Sequence, residues 1–161
     1  MNELAELLIE KGITISSVES FTVGNFATML GSIPGISKVY KGSLITYQSE
    51  TKERLLSIDH ALIEKYGVVS KEIATLMCVN GKSILDTDLC VSFTGNAGPD
   101  AWEEKPAGRV YCAIASKKAI QVYGFQCTGL SRNDVREHVV MQMIDILIQT
   151  IQKENICQKK K

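Results

Sequence analysis

Apolar residues along the chain recur at two different spacings, and the alternation between them marks out the elements. In residues 2–11, Leu4, Leu7 and Leu8 fall on one stripe at three- and four-residue spacing, which predicts a helix that Gly12 is placed to stop. "ITISSV", Ile13 to Val18, alternates and is β-branched, so a strand follows. Helical spacing returns from Thr22 to Leu30 through Phe26, Met29 and Leu30, and "GSIPGIS" then supplies turn formers. "KVYKGSLITYQ" reads as a second strand with an irregularity at Gly42. Ser49 is expected to cap a short helix through Lys52 and Leu56, Asp59 another to about Tyr66, and Ser70 a longer one from Lys71 to about Leu85. "GVVS", just before that last helix, reads as brief and extended.

"DLCVSFTG" is almost continuously apolar, the pattern of a central strand covered on both faces. "GNAGPDAWEEKPAG" holds three glycines and two prolines and is a long loop, a kind that in compact domains is functional or disordered. "RVYCAIAS" and "AIQVYGFQC" flank Lys117–Lys118 as a hairpin. A last helix, from about Arg132 to Lys153, opens on a capping box of Ser131 and Asp134 and carries Val135, Val139, Met143, Ile146 and Leu147 in one stripe. The order implies an α/β fold: a single three-layer α/β/α domain with a mixed, mostly parallel sheet of about five strands. Its core spans about 4–153, and 154–161 form a solvated tail.

Composition narrows the partners. Lys plus Arg equals Asp plus Glu at 18 each, so a net charge of zero gives no support to nucleic-acid or membrane-surface binding. The five cysteines, Cys78, Cys90, Cys112, Cys127 and Cys157, form no CxxC pair, and only His60 and His138 are available, so zinc-type spacing is absent. No metal and no organic cofactor is implied. "MNELAELLIEK" carries acidic residues at helical spacing rather than a basic segment and a long apolar core. No segment is long and apolar enough to span a bilayer, so a reduced, cytoplasmic setting is the expectation.

Four loop-proximal sites remain as candidate chemistry. Glu19-Ser20, with Thr22 and Gly24, stands where a strand ends and a helix opens. From that segment alone a capping serine is the simpler reading, and a hydroxyl aimed beside oriented N–H donors is the chemical one. In "TYQSETK" Tyr47 ends a strand and Lys52 lies in the first helical turn after it. "TGNAGP", Thr94 to Pro99, with Gly95 and Gly98, follows the central strand, and Arg132 and Arg136 are four apart at a helix start. Ligands in open α/β sheets gather beyond the carboxyl ends of parallel strands, where at least two of these sites belong. With neither histidine beside a motif, a Ser-His-Asp triad is disfavoured. Without further context Lys52, Tyr47, Thr94 and the arginines read equally as ordinary strand-end and surface residues.

In order and spacing, however, the motifs resemble one family. "TISSVESFTVGNFATMLGSIPGISKVYKGSLITYQSETKERLL", "GVVSKEIATLM", "FTGNAGPD", "KPAGRV" and "GLSRNDVREHVV" are similar to the successive motifs of the CinA carboxy-terminal domain, from about Leu4 to about Ile148. With no amino-terminal CinA module ahead of it, the chain looks like the stand-alone, PncC-type nicotinamide-nucleotide amidases. That resemblance implies a serine amidohydrolase converting nicotinamide mononucleotide to nicotinate mononucleotide and ammonia, in the pyridine nucleotide cycle of NAD salvage. Carried over by motif, Ser20 is the nucleophile, Lys52 the base and Tyr47 an assistant. Thr22, Gly24, Thr94, Gly95, Gly98, Arg132 and Arg136 border the substrate. A homo-oligomer, in the first instance a dimer, is expected. The alternative is a nucleotide-binding module that has kept the fold and lost turnover.

Such chemistry needs lysine as a neutral amine, through desolvation and a neighbouring cation, either Arg132 or the substrate's pyridinium ring, and oxyanion donors from the helix start near Thr22 to Gly24. Glu19 would raise the lysine pKa, so it is expected to point elsewhere. Departures from the family pattern, Phe21, Val23, Ser43, Asn96, Arg109 and the absence of a Gly after Asp100, are expected to crowd the pocket, either reshaping it for another amide or leaving a weakened enzyme.

Overall fold

In a computed structural model, which describes residues 1–154, the chain runs helix α1 (Asn2–Lys11), strand β1 (Ile15–Glu19), α2 (Asn25–Gly31), β2 (Tyr40–Ile45), α3 (Ser49–Leu56), α4 (His60–Tyr66) and α5 (Lys71–Ile84). Strands β3 (Leu89–Gly95), β4 (Arg109–Ala115) and β5 (Ile120–Gln126) follow, then α6 (Arg132–Glu154). The expected tail and Cys157 lie outside the described residues, apart from Glu154, which ends α6.

The five strands form one sheet in the order β2-β1-β3-β4-β5. β1 pairs in parallel with β2 and β3, and β4 is antiparallel to both its neighbours, so four strands share one direction. The mixed α/β sheet expected from the alternation of elements is therefore present. One face is covered by α1, α2 and α6, with Leu4, Leu8, Phe26 and Val139 packed on Ile15, Val91 and Phe93. The other is covered by α3, α4 and α5, with Leu56, Ile63, Ile73 and Met77 on Val18 and Cys90. Burial on both faces is why β1 and β3 carry no polar–apolar alternation in accessibility. α5 lies close against β1 at Gly81, where Val18 fills the space a β-carbon would need. Among the described residues no helix is long and apolar enough to cross a membrane.

Asp59 and Ser70 cap α4 and α5 as their sequence positions predict, accepting from the N–H groups of Ala61 (2.9 Å) and Ile73 (3.2 Å). Ser49 does not cap α3: it is already helical, Gln48 stands at the cap without a side-chain bond, and Thr51 Oγ1 donates to the Gln48 carbonyl. The Ser131–Asp134 box is half formed. Ser131 Oγ accepts from the Asp134 N–H, but the Asp134 carboxylate takes the serine hydroxyl rather than a backbone N–H. "GVVS" makes no ladder and bends into α5. The second helix begins at Asn25 rather than Thr22, because residues 21–24 form a turn with Val23 and Gly24 both at positive φ.

At the sheet end remote from the parallel strands' carboxyl termini, Asp88 ties β1 to β3 and the hairpin. Its Oδ2 accepts from the N–H and hydroxyl of Thr14 (2.9 and 2.8 Å), and its Oδ1 takes the Lys117 ammonium. Burial alone would raise this carboxyl, but Lys117 and the Thr14 donors outweigh it and hold it below the usual range. Asp88→Asn is expected to lose about 1–3 kcal/mol at neutral pH by urea unfolding. Because the folded pKa is the lower one, that difference is present above the unfolded value near 4 and shrinks as pH falls through the folded one.

Candidate active site

Register brings the candidate residues together. Glu19 of β1 pairs with Ile45 of β2 and with Phe93 of β3, so the next residues, Ser20, Thr46 and Thr94, stand at one level, the first two just past their strands and Thr94 still paired with Tyr111 of β4. The Ser20 N–H donates to the Phe93 carbonyl (2.9 Å) and the Thr46 N–H to the Glu19 carbonyl (2.9 Å), which extends the ladder one residue past each strand. This is the carboxyl edge of the parallel strands, where open α/β sheets bind ligands.

Lys52 stands on the inward side of α3 and is fully buried, one turn before the buried Leu56. Its Nζ lies 3.2 Å from Ser20 Oγ, and donates to the carbonyls of Thr46 (2.8 Å) and Tyr47 (3.3 Å). Ser20 Oγ is itself 3.4 Å from the Tyr47 carbonyl. Burial pushes the Lys52 amine down to about 8, against a smaller opposing pull from Glu103. Arg132 is not a cause: its two terminal nitrogens donate to the Gly98 carbonyl (2.7 Å) and the Tyr47 hydroxyl (2.9 Å), so it ties the 95–108 loop to the opposite wall.

Ser20 opens onto a cavity of about 610 Å³, large enough for a nucleotide-sized ligand. Thr94, Gly95, Gly98, Arg132 and Tyr47 line it. Tyr47 meets Lys52 through its backbone carbonyl, while its phenol is half-exposed on Arg132. Thr94 Oγ1 donates to the Val68 carbonyl (2.6 Å).

Three other expected residues sit elsewhere. Thr22 is buried beneath the turn, its hydroxyl on Glu19 (2.7 Å), and Gly24 caps α2 without reaching the cavity. Arg136 faces the far side of the turn, donating to the Thr22 carbonyl (2.9 Å) beside Asn25 and Met29.

Glu19 takes up the first N–H groups of α2 itself. Its fully buried carboxylate points away from Lys52 and accepts from the N–H groups of Phe26 (3.3 Å) and Ala27 (3.0 Å) and from the hydroxyls of Thr22 and Ser17. The Asn25 N–H goes to the Thr22 carbonyl. Among the described residues no protein acceptor takes the N–H of Phe21 or of Ala97, and both residues line the cavity. All four of Glu19's partners donate, so Glu19→Gln would set an amide NH₂ against them. Its expected cost is about 2 kcal/mol in chemical unfolding.

The CinA C-terminal domain pattern matches residues 1–151. The chain belongs to the CinA C-terminal domain family. A putative competence-damage inducible protein of Levilactobacillus brevis is 40% identical over 151 residues, covering 93% of this chain and 36% of that protein. The chain thus spans about a third of the length of such relatives. Among solved structures, a CinA superfamily protein of Escherichia coli superposes with a TM-score of 0.87 at 26% identity, covering 92% of this chain and 88% of the other. One of Klebsiella pneumoniae 700603 shares the fold with a TM-score of 0.90 at 24% identity and 94% coverage of each chain.

Several of the departures from the CinA motifs fall outside the cavity wall. Phe21 packs into the core and shows the cavity only an edge. Val23 is half-exposed, Arg109 stacks on Tyr111, and Ser43 bonds Tyr40 (2.6 Å) and Ser17 within β1 and β2. Asn96 and Ala101, which stands where the family has Gly after Asp100, are on the cavity wall, and Asn96 shapes it. The Asn96 amide donates to the carbonyls of Asp100 (2.7 Å) and Lys105 (3.3 Å) and accepts from the Gly98 N–H (2.9 Å), bracing the loop. Asp100, the last residue of "FTGNAGPD", and Trp102 of the long loop also line the cavity, as do Glu50 and Glu103, which sequence reasoning did not single out; two consecutive glutamates at positive φ, Glu103 and Glu104, run against residue preference and leave no signal to read.

Proposed function

We propose that this domain is a serine amidohydrolase that deamidates nicotinamide mononucleotide to nicotinate mononucleotide and ammonia through Ser20 and Lys52. One observation carries the proposal: a fully buried amine lies 3.2 Å from a serine oxygen on the wall of a ligand-sized cavity. A buried primary amine with no carboxylate on it has little reason to persist except as a base.

The proton count supports that role. A neutral amine has two hydrogens and one lone pair. The hydrogens are taken by the Thr46 and Tyr47 carbonyls, and the lone pair is left for the Ser20 hydroxyl. Ser20 Oγ attacks the amide carbon as its proton passes to Lys52 Nζ, and the oxyanion takes the free N–H groups of Phe21 and Ala97. Lys52 returns the proton to the amide nitrogen, the C–N bond breaks and ammonia leaves. Water then attacks the acyl-Ser20 ester with Lys52 as base, the C–Oγ bond breaks, and Ser20 regains a proton as the acid product departs.

Support for the choice of amide comes from the motif resemblance, from the cavity volume and from the aromatic surfaces of Tyr47 and Trp102, against which a pyridine ring can lie. Ammonia release from nicotinamide mononucleotide, followed alongside calorimetric binding, is the test. Turnover is expected. Binding without ammonia would assign the domain as a nucleotide-binding module instead, and neither would remove the substrate.

A further inference from the structure

The charges around the cavity are lopsided. Glu50, Asp100 and Glu103 line it against Arg132 alone, and Lys52 must be uncharged to act, so the working pocket is negative. Arg132 is already committed on both terminal nitrogens.

Of these carboxylates, Glu103 is the one that accepts a backbone hydrogen bond among the described residues. It sits in a two-residue turn closed by reciprocal backbone bonds between Trp102 and Lys105 (3.0 and 2.8 Å). Glu103 and Glu104 adopt φ of 50° and 59°, left-handed values that glycine or asparagine would meet more easily. Glu103 Oε2 accepts from the Val69 N–H at 3.4 Å and lies over Gly67, where a β-carbon would stand 2.6 Å from that oxygen and push the carboxylate aside. On the same turn Trp102, 61% exposed, also lines the cavity, as does Tyr47. A carboxylate beside aromatic faces is the chemistry that recognises a delocalised organic cation.

We propose that Glu103, with the Trp102 ring on the same turn, is the specificity-determining group by which this site selects an amide carried on a cationic ring over the same amide on an uncharged one. The inference rests on the deamidase reading for its choice of ligand, and its test is separable from it. Nicotinamide mononucleotide and its dihydropyridine counterpart share amide, ribose and phosphate and differ in ring charge. Their dissociation constants are measured by calorimetry on the full chain carrying Ser20→Ala, so that no turnover intervenes, with and without Glu103→Gln. The preference for the cationic ligand is expected to fall roughly tenfold in Glu103→Gln, as loss of one partly screened charge pair implies, and to return in part with Glu103→Asp. Equal weakening of both ligands, or no change in their ratio, would reduce Glu103 to a loop tether and overturn the proposal. Failure of the wild-type chain to release ammonia would sink the deamidase reading while leaving this ratio to be read.

Discussion

Ser20→Ala is expected to lower kcat/KM for ammonia release by on the order of 10⁴ to 10⁶, the range seen when a nucleophilic serine is removed from a site that acts as a unit. The fold should not notice. The position is held by its backbone N–H on the Phe93 carbonyl, and the hydroxyl meets only Lys52 Nζ and the Tyr47 carbonyl. An unchanged unfolding midpoint with turnover gone is therefore the expected pair of results. Wild-type protein quenched during turnover should gain the mass of the acyl group on the peptide containing Ser20. Turnover within tenfold of wild type in the alanine variant, from preparations free of host amidase, would exclude the covalent route.

Lys52→Met is expected to cost on the order of 10² to 10⁴ in kcat while leaving the protein at least as stable at pH 7. Methionine has nearly the volume of lysine and needs no solvation. The native amine is held at about 8 rather than its ordinary 10.5, a difference worth roughly 3 kcal/mol against the charged form. The sign runs the same way in the pH dependence. Between about 8 and 10.5 the unfolded chain binds the proton that the folded one has lost, so stability from this group is complete above 10.5 and is lost as pH falls to about 8. Urea unfolding across that window should show a rise in wild type that Lys52→Met lacks. Turnover of wild type should climb with pH to a plateau above about 8. Lys52→Arg, which cannot surrender its proton, should stay inactive throughout; near-wild-type turnover there would rule out the general base.

Local signals in the sequence carried much of the fold. The leucine stripe of α1, the apolar run of β3, the hairpin around Lys117 and the caps at Asp59 and Ser70 are all decided within a few residues of themselves. What the sequence does not display is long-range pairing. The placement of β1 between β2 and β3 brings residues 20, 46 and 94 to one level, and no spacing along the chain encodes it. Arg132 and Arg136 look equivalent at four-residue spacing, yet one meets Gly98 and Tyr47 and the other meets Thr22, because the two sides of a helix start face different neighbours. Glu19 was legible only as a residue that ought to avoid Lys52. Its use as a buried acceptor for the first turn of α2 depends on a turn at Val23 and Gly24 that valine disguises.

The acceptors that aim Lys52 are carbonyls of the main chain at residues 46 and 47, not side chains. No point substitution can delete a carbonyl, so evolutionary drift at either position can proceed without misdirecting the amine, provided the path between β2 and α3 is kept. The vulnerability is one of length instead: inserting or removing a single residue between Tyr47 and Lys52 would rotate the lysine about 100° around its helix and swing it off the serine, whatever amino acid were used.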